Sequence, residues 1–295
     1  MPDLLVQLFA LFLLVGSISA GYWRWIRPRE GALDIQGRGL LLLVVLTMMG
    51  GLVGSPYWWM DDVRSFSWDL PPLVSRMLAA AGWSFVVVSL MALRRLSRRR
   101  LRLVLLLLVV YLVPLTVVVF AFHLDRFDFS DPISYAFFVI VLVADVAATW
   151  FLFRQPTILP DDAADVAPTT RSTRVWMLGS AMLLGLWGSA LFLTDSGPMS
   201  VVWAWPGDLL STRLIGVMLL TVAAGLLYSV RHRDTARMML WTSVTYGVGI
   251  AGASFWNVVA DKPLPKSYFV VFGVIALASL AFLAVEREGR ARFAG

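Results

Sequence analysis

The segment Leu101–Phe122, LRLVLLLLVVYLVPLTVVVFAF, holds one arginine near its start and is otherwise free of charge. A helix rises about 1.5 Å per residue, so roughly 20 such residues match the thickness of bilayer hydrocarbon. In hydrocarbon a backbone has to satisfy its own N–H and C=O groups, which leaves only helices and closed barrels. The apolar blocks of this chain lack the period-2 alternation of barrel strands. The reading is therefore an all-α, multi-pass membrane protein. The chain is 59% hydrophobic and 15% charged, where soluble domains carry about 25% charged residues.

Comparable blocks give nine candidate spans, at about 4–24, 39–56, 72–93, 102–122, 132–153, 174–194, 209–230, 238–258 and 267–285. The first has no basic stretch before it (MPDLLVQ) and reads as a retained helix rather than a cleaved leader. Lys and Arg are unevenly shared among the connections. The 1–2, 3–4, 5–6 and 7–8 connections and the tail hold nineteen, against four (Arg64, Arg126, Lys262 and Lys266) in the alternate set. By the positive-inside rule the N-terminus is outside and the C-terminus cytoplasmic. The outer loops are acidic and aromatic instead, as in SPYWWMDDVRSFSWD and WAWPGD.

The second half of the chain echoes the first. FSWDLPPLVSRMLA lies over WAWPGDLLSTRLIG at an offset of 137, pairing Trp68 with Trp205 and Arg76 with Arg213. Further on, Pro132, Ser134 and Tyr135 match Pro265, Ser267 and Tyr268 at an offset of 133. The expected organisation is a leading helix with its basic loop (1–38), a first four-helix repeat (39–155), a cytoplasmic linker (156–173) and a second repeat with a basic tail (174–295). Each repeat crosses the membrane an even number of times, so the copies share one orientation and a pseudo-twofold along the membrane normal. Gly51-x-x-Gly54 and Gly185-x-x-Gly188 are expected to allow close helix approach.

Trp205-Pro206 followed by Ser211-Thr212-Arg213-Leu214-Ile215-Gly216 resembles a signature, WP…LT-x-R-x-[IL]-G, of a family of uncharacterised bacterial polytopic integral membrane proteins. The chain departs from it at Gly207-Asp208. The resemblance implies a many-helix protein of the bacterial cytoplasmic membrane and carries no activity with it.

The polar residues inside spans are the candidates for chemistry. Arg76 and Arg213 sit at matching depth near the outer face, where a cation opposes the helix dipole. Two equivalent guanidiniums could converge on an anionic ligand, or each could snorkel to headgroups or pair with Asp69, Asp208 or Asp62. Asp145 is the one carboxylate deep in a span, and its repeat equivalent is Ala278; intramembrane acids usually face the bundle interior. Asn257 is expected to hold helices together, and Trp68, Trp205, Tyr135 and Tyr268 to anchor the interface. His123 and His232 fall on opposite sides and are expected in solvated loops, so no metal or haem site is expected. There is no cysteine and hence no thiolate ligand.

No cofactor is expected, nor nucleic-acid binding. Anionic headgroups are the expected partners of the inner arginines, and the aromatic outer loops offer a surface to a protein partner. Three functions follow in order. The first is transporter-like handling of a small solute, ion or lipid through a pocket between repeats. The second is a non-catalytic scaffold or assembly factor. The third is an intramembrane lipid-modifying enzyme, for which no catalytic residue stands out.

Overall fold

The computed structural model describes residues 2–62, 70–130, 132–154, 168–194 and 209–291; Trp68 and Trp205 lie outside them. These residues form nine helices: α1 (Pro2–Gly21), α2 (Ile35–Trp59), α3 (Pro72–Arg94), α4 (Arg98–Phe122), α5 (Pro132–Phe153), α6 (Arg171–Leu193), α7 (Leu209–Ser229), α8 (Arg233–Val259) and α9 (Lys266–Ala291). Seven of them, α2 to α7 and α9, are long and apolar enough to cross a membrane, so the chain is a multi-pass membrane protein. The middle of α8 carries Thr242, Ser243, Thr245, Tyr246 and three glycines and falls below that apolarity. It tolerates them because most of its surface faces other helices.

Several helices begin earlier than hydropathy indicates, because polar caps extend them past the apolar run. Asp34 accepts a hydrogen bond from Gly37 N (2.7 Å) and starts α2. Thr170 accepts from Thr173 N (3.4 Å), so α6 begins at Arg171, inside the expected linker. These are side-chain caps on the orphan N–H groups of a first turn.

The packing order is simple. α2 lies along α3, and α6 along α7; α4 holds α5, and α8 holds α9. The two sets meet where α3 packs on α8 and α7 packs on α4. α1 leans on α2 alone among the long helices with substantial contact. α5 is the most loosely held of the rest: Val139, Ile140, Val143, Val146 and Trp150 are exposed, the surface expected of a lipid-facing helix.

Lipid tails are as apolar as leucine, so helices associate in a membrane through close packing rather than burial from water. Glycine supplies the room. A Cβ on Gly51 would lie 2.5 Å from the Gly82 carbonyl oxygen of α3. On Gly188 or Gly216 it would lie 2.8 Å from the other's carbonyl oxygen, across α6 and α7. On Gly247 it would lie 2.6 Å from Phe272 O of α9. Of the two expected glycine pairs, therefore, only Gly51 and Gly188 touch a neighbour this closely. Gly54 faces Trp58 of its own helix, and Gly185 makes an ordinary contact at 3.8 Å with Ala223.

Adjacent glycines in α2 give an internal control. Gly51→Ala is expected to cost about 1–3 kcal/mol, since it pushes α2 off α3. Gly50→Ala, with nothing within 4 Å of the new methyl, is expected to be neutral or stabilising by up to about 1 kcal/mol. Thermal unfolding in detergent reads both; equal effects would remove the close-packing argument.

Candidate functional site

The two in-span arginines occupy one end of the bundle. α3 opens with Pro72, and Arg76 follows one turn in. Its Nε donates to Trp59 O at 3.1 Å and its Nη1 to Pro72 O at 3.3 Å. The guanidinium carbon lies 5.6 Å from the ring centroid of Trp256, at the end of α8. Trp59 in turn packs on Trp83 (centroids 5.2 Å apart) and Trp256 (6.4 Å). Arg213, in α7, places Nη1 3.0 Å from His123 Nε2 and its guanidinium carbon 5.0 Å from the Phe122 ring centroid. Each arginine is only 9% exposed.

An arginine only donates, so His123 Nε2 accepts and its proton is assigned to Nδ1. The expectation of a solvated loop histidine is corrected. His123 is buried because α4 runs to Phe122 and its C-terminal capping residue turns onto α7. His232 is half-buried at the N-cap of α8, at the opposite end of the bundle.

The arginines play parallel parts without meeting. Arg76 reaches from α3 to α2 and α8, and Arg213 reaches from α7 to the end of α4. No hydrogen bond or ring contact of Arg76 involves Arg213. The observed pattern is thus two separate cation–aromatic contacts, one on each arm of the α3–α8 and α4–α7 interface. Such contacts contribute about 0.5–2 kcal/mol each, more when desolvated.

His123→Ala should strand a buried guanidinium N–H and cost about 1–3 kcal/mol. His123→Gln, which can still present an acceptor, should recover part of that loss. Unfolding midpoints of the two variants in detergent check this; identical losses would show that the hydrogen bond contributes nothing.

Asp145 stands apart from both arginines. It is half-buried on α5, and its Oδ1 accepts from Thr149 Oγ1 at a long 3.4 Å. Thr116 of α4 lies beside the same carboxylate, although its Oγ1 falls outside strict hydrogen-bond geometry. Asp145 therefore faces hydroxyls on the α4–α5 seam.

A cavity of about 20 Å³, the space open to the centre of a water-sized sphere, lies where α3, α4, α7 and α8 meet. That holds about one water. Ser84 and Thr221, which correspond at the offset of 137, both line it. Their hydroxyls turn away to the carbonyls one turn back, Ala80 O and Val217 O, each at 2.8 Å. Thr242 does the same to Met238 O at 2.9 Å. The Tyr246 hydroxyl, also at this cavity, has no hydrogen-bond partner among the described residues. Arg76, Arg213 and Asp145 are not part of the lining.

Tyr135 and Tyr268 part company. Tyr135 is exposed beside Phe129, with ring centroids 6.0 Å apart, as an interfacial anchor would be. Tyr268 is fully buried: its ring lies 4.9 Å from Trp187 of α6 and stacks on Phe272 at 5.8 Å. α9 is drawn in at Gly247 of α8, whereas α5 stands off α4, so the same sequence position ends inside one half and outside the other. Asn257 is buried, and its Oδ1 meets no donor among the described residues.

The opposite end of the bundle holds polar groups that span counting passes over. Arg100 of α4 forms a two-pronged ion pair with Asp234 of α8 and donates from Nη1 to Met91 O (2.8 Å) at the end of α3. Glu286, fully buried on α9, accepts from Thr170 N (3.0 Å) and Thr170 Oγ1 (2.8 Å) and lies 2.8 Å from Arg233 Nε. One carboxylate thereby ties the starts of α6 and α8 to the end of α9. The sequence signal was there: Asp234 and Glu286 are acids set among arginines at span ends, where opposite charges are near enough to pair.

Glu286→Ala should cost about 3–5 kcal/mol, because it leaves Arg233 without its counter-charge and Thr170 N without its acceptor. The double variant Glu286→Met/Arg233→Met should be less destabilised than the single. Thermal unfolding of both in detergent checks the order.

Among the described residues, no group of three or more His, Asp or Glu side chains is placed to hold a metal ion. The chain matches no family model, no curated protein and no solved structure.

Proposed function

We propose that this chain is a non-catalytic scaffold or assembly factor of a bacterial cytoplasmic membrane. In this reading it crosses nine times, with its N-terminus outside, as two like-oriented quartets (α2–α5 and α6–α9) behind α1. The helix neighbours support the doubling. Exchanging α2 to α5 with α6 to α9 turns each principal contact into another: α2·α3 into α6·α7, α4·α5 into α8·α9, and α3·α8 into α7·α4. That reciprocity is what a pseudo-twofold between parallel repeats produces. All nineteen arginines of the inner connections then lie on the cytoplasmic side; Arg100 and Arg233 meet carboxylates of the chain, and anionic headgroups are the partners of the exposed ones. Membership of the family suggested by Ser211–Gly216 fits the same location.

One observation carries the choice of scaffold. Arg76, Arg213 and Asp145 are each met by separate neighbours, and none lines the one-water cavity between the quartets. A solute pathway would bring such groups to a common space. Among the described residues Asp145 has hydroxyl neighbours rather than a second acid, which also weighs against an intramembrane enzyme. Transport is the second reading, favoured by the position of the cavity at the meeting of both quartets.

The absence of native cysteine makes the test direct. Single cysteines at Ser84 and Thr221 are expected to resist a membrane-impermeant thiol reagent applied from either side of the membrane, under any ion gradient. Labelling from one side that switches with conditions would sink the scaffold reading in favour of alternating access. Cysteines at the exposed Ser172 and Ser130 serve as positive controls. They are expected to label from the cytoplasmic and outer sides respectively, and the reverse would overturn the proposed orientation.

A further inference from the structure

Arg76 and Arg213 look equivalent in sequence but are not equally satisfied. Arg213 has an imidazole nitrogen from the chain itself, His123 Nε2 at 3.0 Å. Arg76 has no side-chain acceptor among the described residues. Its bonds run from Nε and Nη1 to two backbone carbonyls, Trp59 O and Pro72 O. Nη2 makes no hydrogen bond among the described residues. No carboxylate there lies within ion-pair distance; Asp61 acts on Arg76 only from farther away. A cation that is 9% exposed, with no carboxylate in ion-pair distance among the described residues, is costly in a low-dielectric setting.

Its surroundings say what would complete it. One wall is Trp256, 40% exposed, lying under the guanidinium. Behind it stand Trp59 and Trp83. Indole rings favour the headgroup level, where one edge is apolar and the other wet. A guanidinium with a free edge matches a phosphate oxygen pair, and indoles match the glycerol and upper acyl carbons next to it.

We propose that Arg76, with Trp59 and Trp256, is a phosphate-binding site at the tryptophan-rich end of α2, α3 and α8, filled by a phospholipid headgroup. The site takes the place for Arg76 that His123 takes for Arg213. It does not depend on the scaffold reading: a transporter or an enzyme could hold the same lipid, and a scaffold without it would still show sealed cavity cysteines.

The test uses the full chain purified in detergent and titrated with phosphatidylglycerol, with diacylglycerol of the same chains, or with inorganic phosphate. The unfolding midpoint and native mass spectrometry are the readouts. Phosphatidylglycerol is expected to raise the midpoint and remain bound, and diacylglycerol to do neither. Arg76→Gln should weaken the phospholipid's apparent affinity by about tenfold or more. Arg76→Lys keeps the charge but not the fork, and should weaken it by about threefold; it is the fallback should the glutamine variant fail to fold. An inorganic phosphate response equal to that of the phospholipid would uphold the phosphate chemistry with the soluble anion as its source. Any one of three results overturns the site: no response of the wild-type protein to phosphatidylglycerol, an equal response to diacylglycerol, or an unchanged affinity in both Arg76 variants.

Discussion

The structure depends on how closely its helices approach. Once backbone groups are satisfied within each helix, hydrocarbon gives no strong reason for one apolar helix to prefer another over lipid. The preference here comes from contacts that only glycine permits: Gly51 against Gly82, Gly188 against Gly216, Gly247 against Phe272. Where such contacts are present, helices are enclosed and can carry polar groups, as α8 does. Where they are missing, as between α4 and α5, the helix stands off and keeps an apolar face for lipid.

The two ends of the bundle then solve the same electrostatic problem differently. At the arginine-rich end, carboxylates from the chain meet the cations: Asp234 meets Arg100, and Glu286 meets Arg233. The first joins α4 to α8, helices far apart in sequence, and the second joins the neighbouring helices α8 and α9. At the tryptophan-rich end the in-span cations meet ring faces, carbonyls and one histidine. Arg76 has no carboxylate within ion-pair distance among the described residues, which leaves room for an anion from outside the chain, whereas at the other end the chain supplies its own.

Much of this was legible in the residues. The apolar blocks located the long helices of the described residues, and the glycine spacing pointed to α2 and α6 as closely packed, although only one glycine of each pair is in tight contact. Arg76 and Arg213 were picked out as unusual, and both are buried. Their partners were not legible. Nothing local distinguishes His123, placed one residue beyond an apolar run, from any loop histidine. Tyr135 and Tyr268 share a sequence context yet end on opposite sides of the packing, because the helices that carry them are held at different distances. Glu286 looked like part of a charged tail because its partners, Thr170 and Arg233, lie 116 and 53 residues away in the chain.

The sequence by itself determined what can be summed along a helix: length, apolarity, and the charge at each end. Those quantities decide whether a segment enters hydrocarbon, and they are local. Only the tertiary structure decided which polar side chains meet. That depends on where two helices cross and how far apart they stand, and a single methyl group at a crossing is enough to change it.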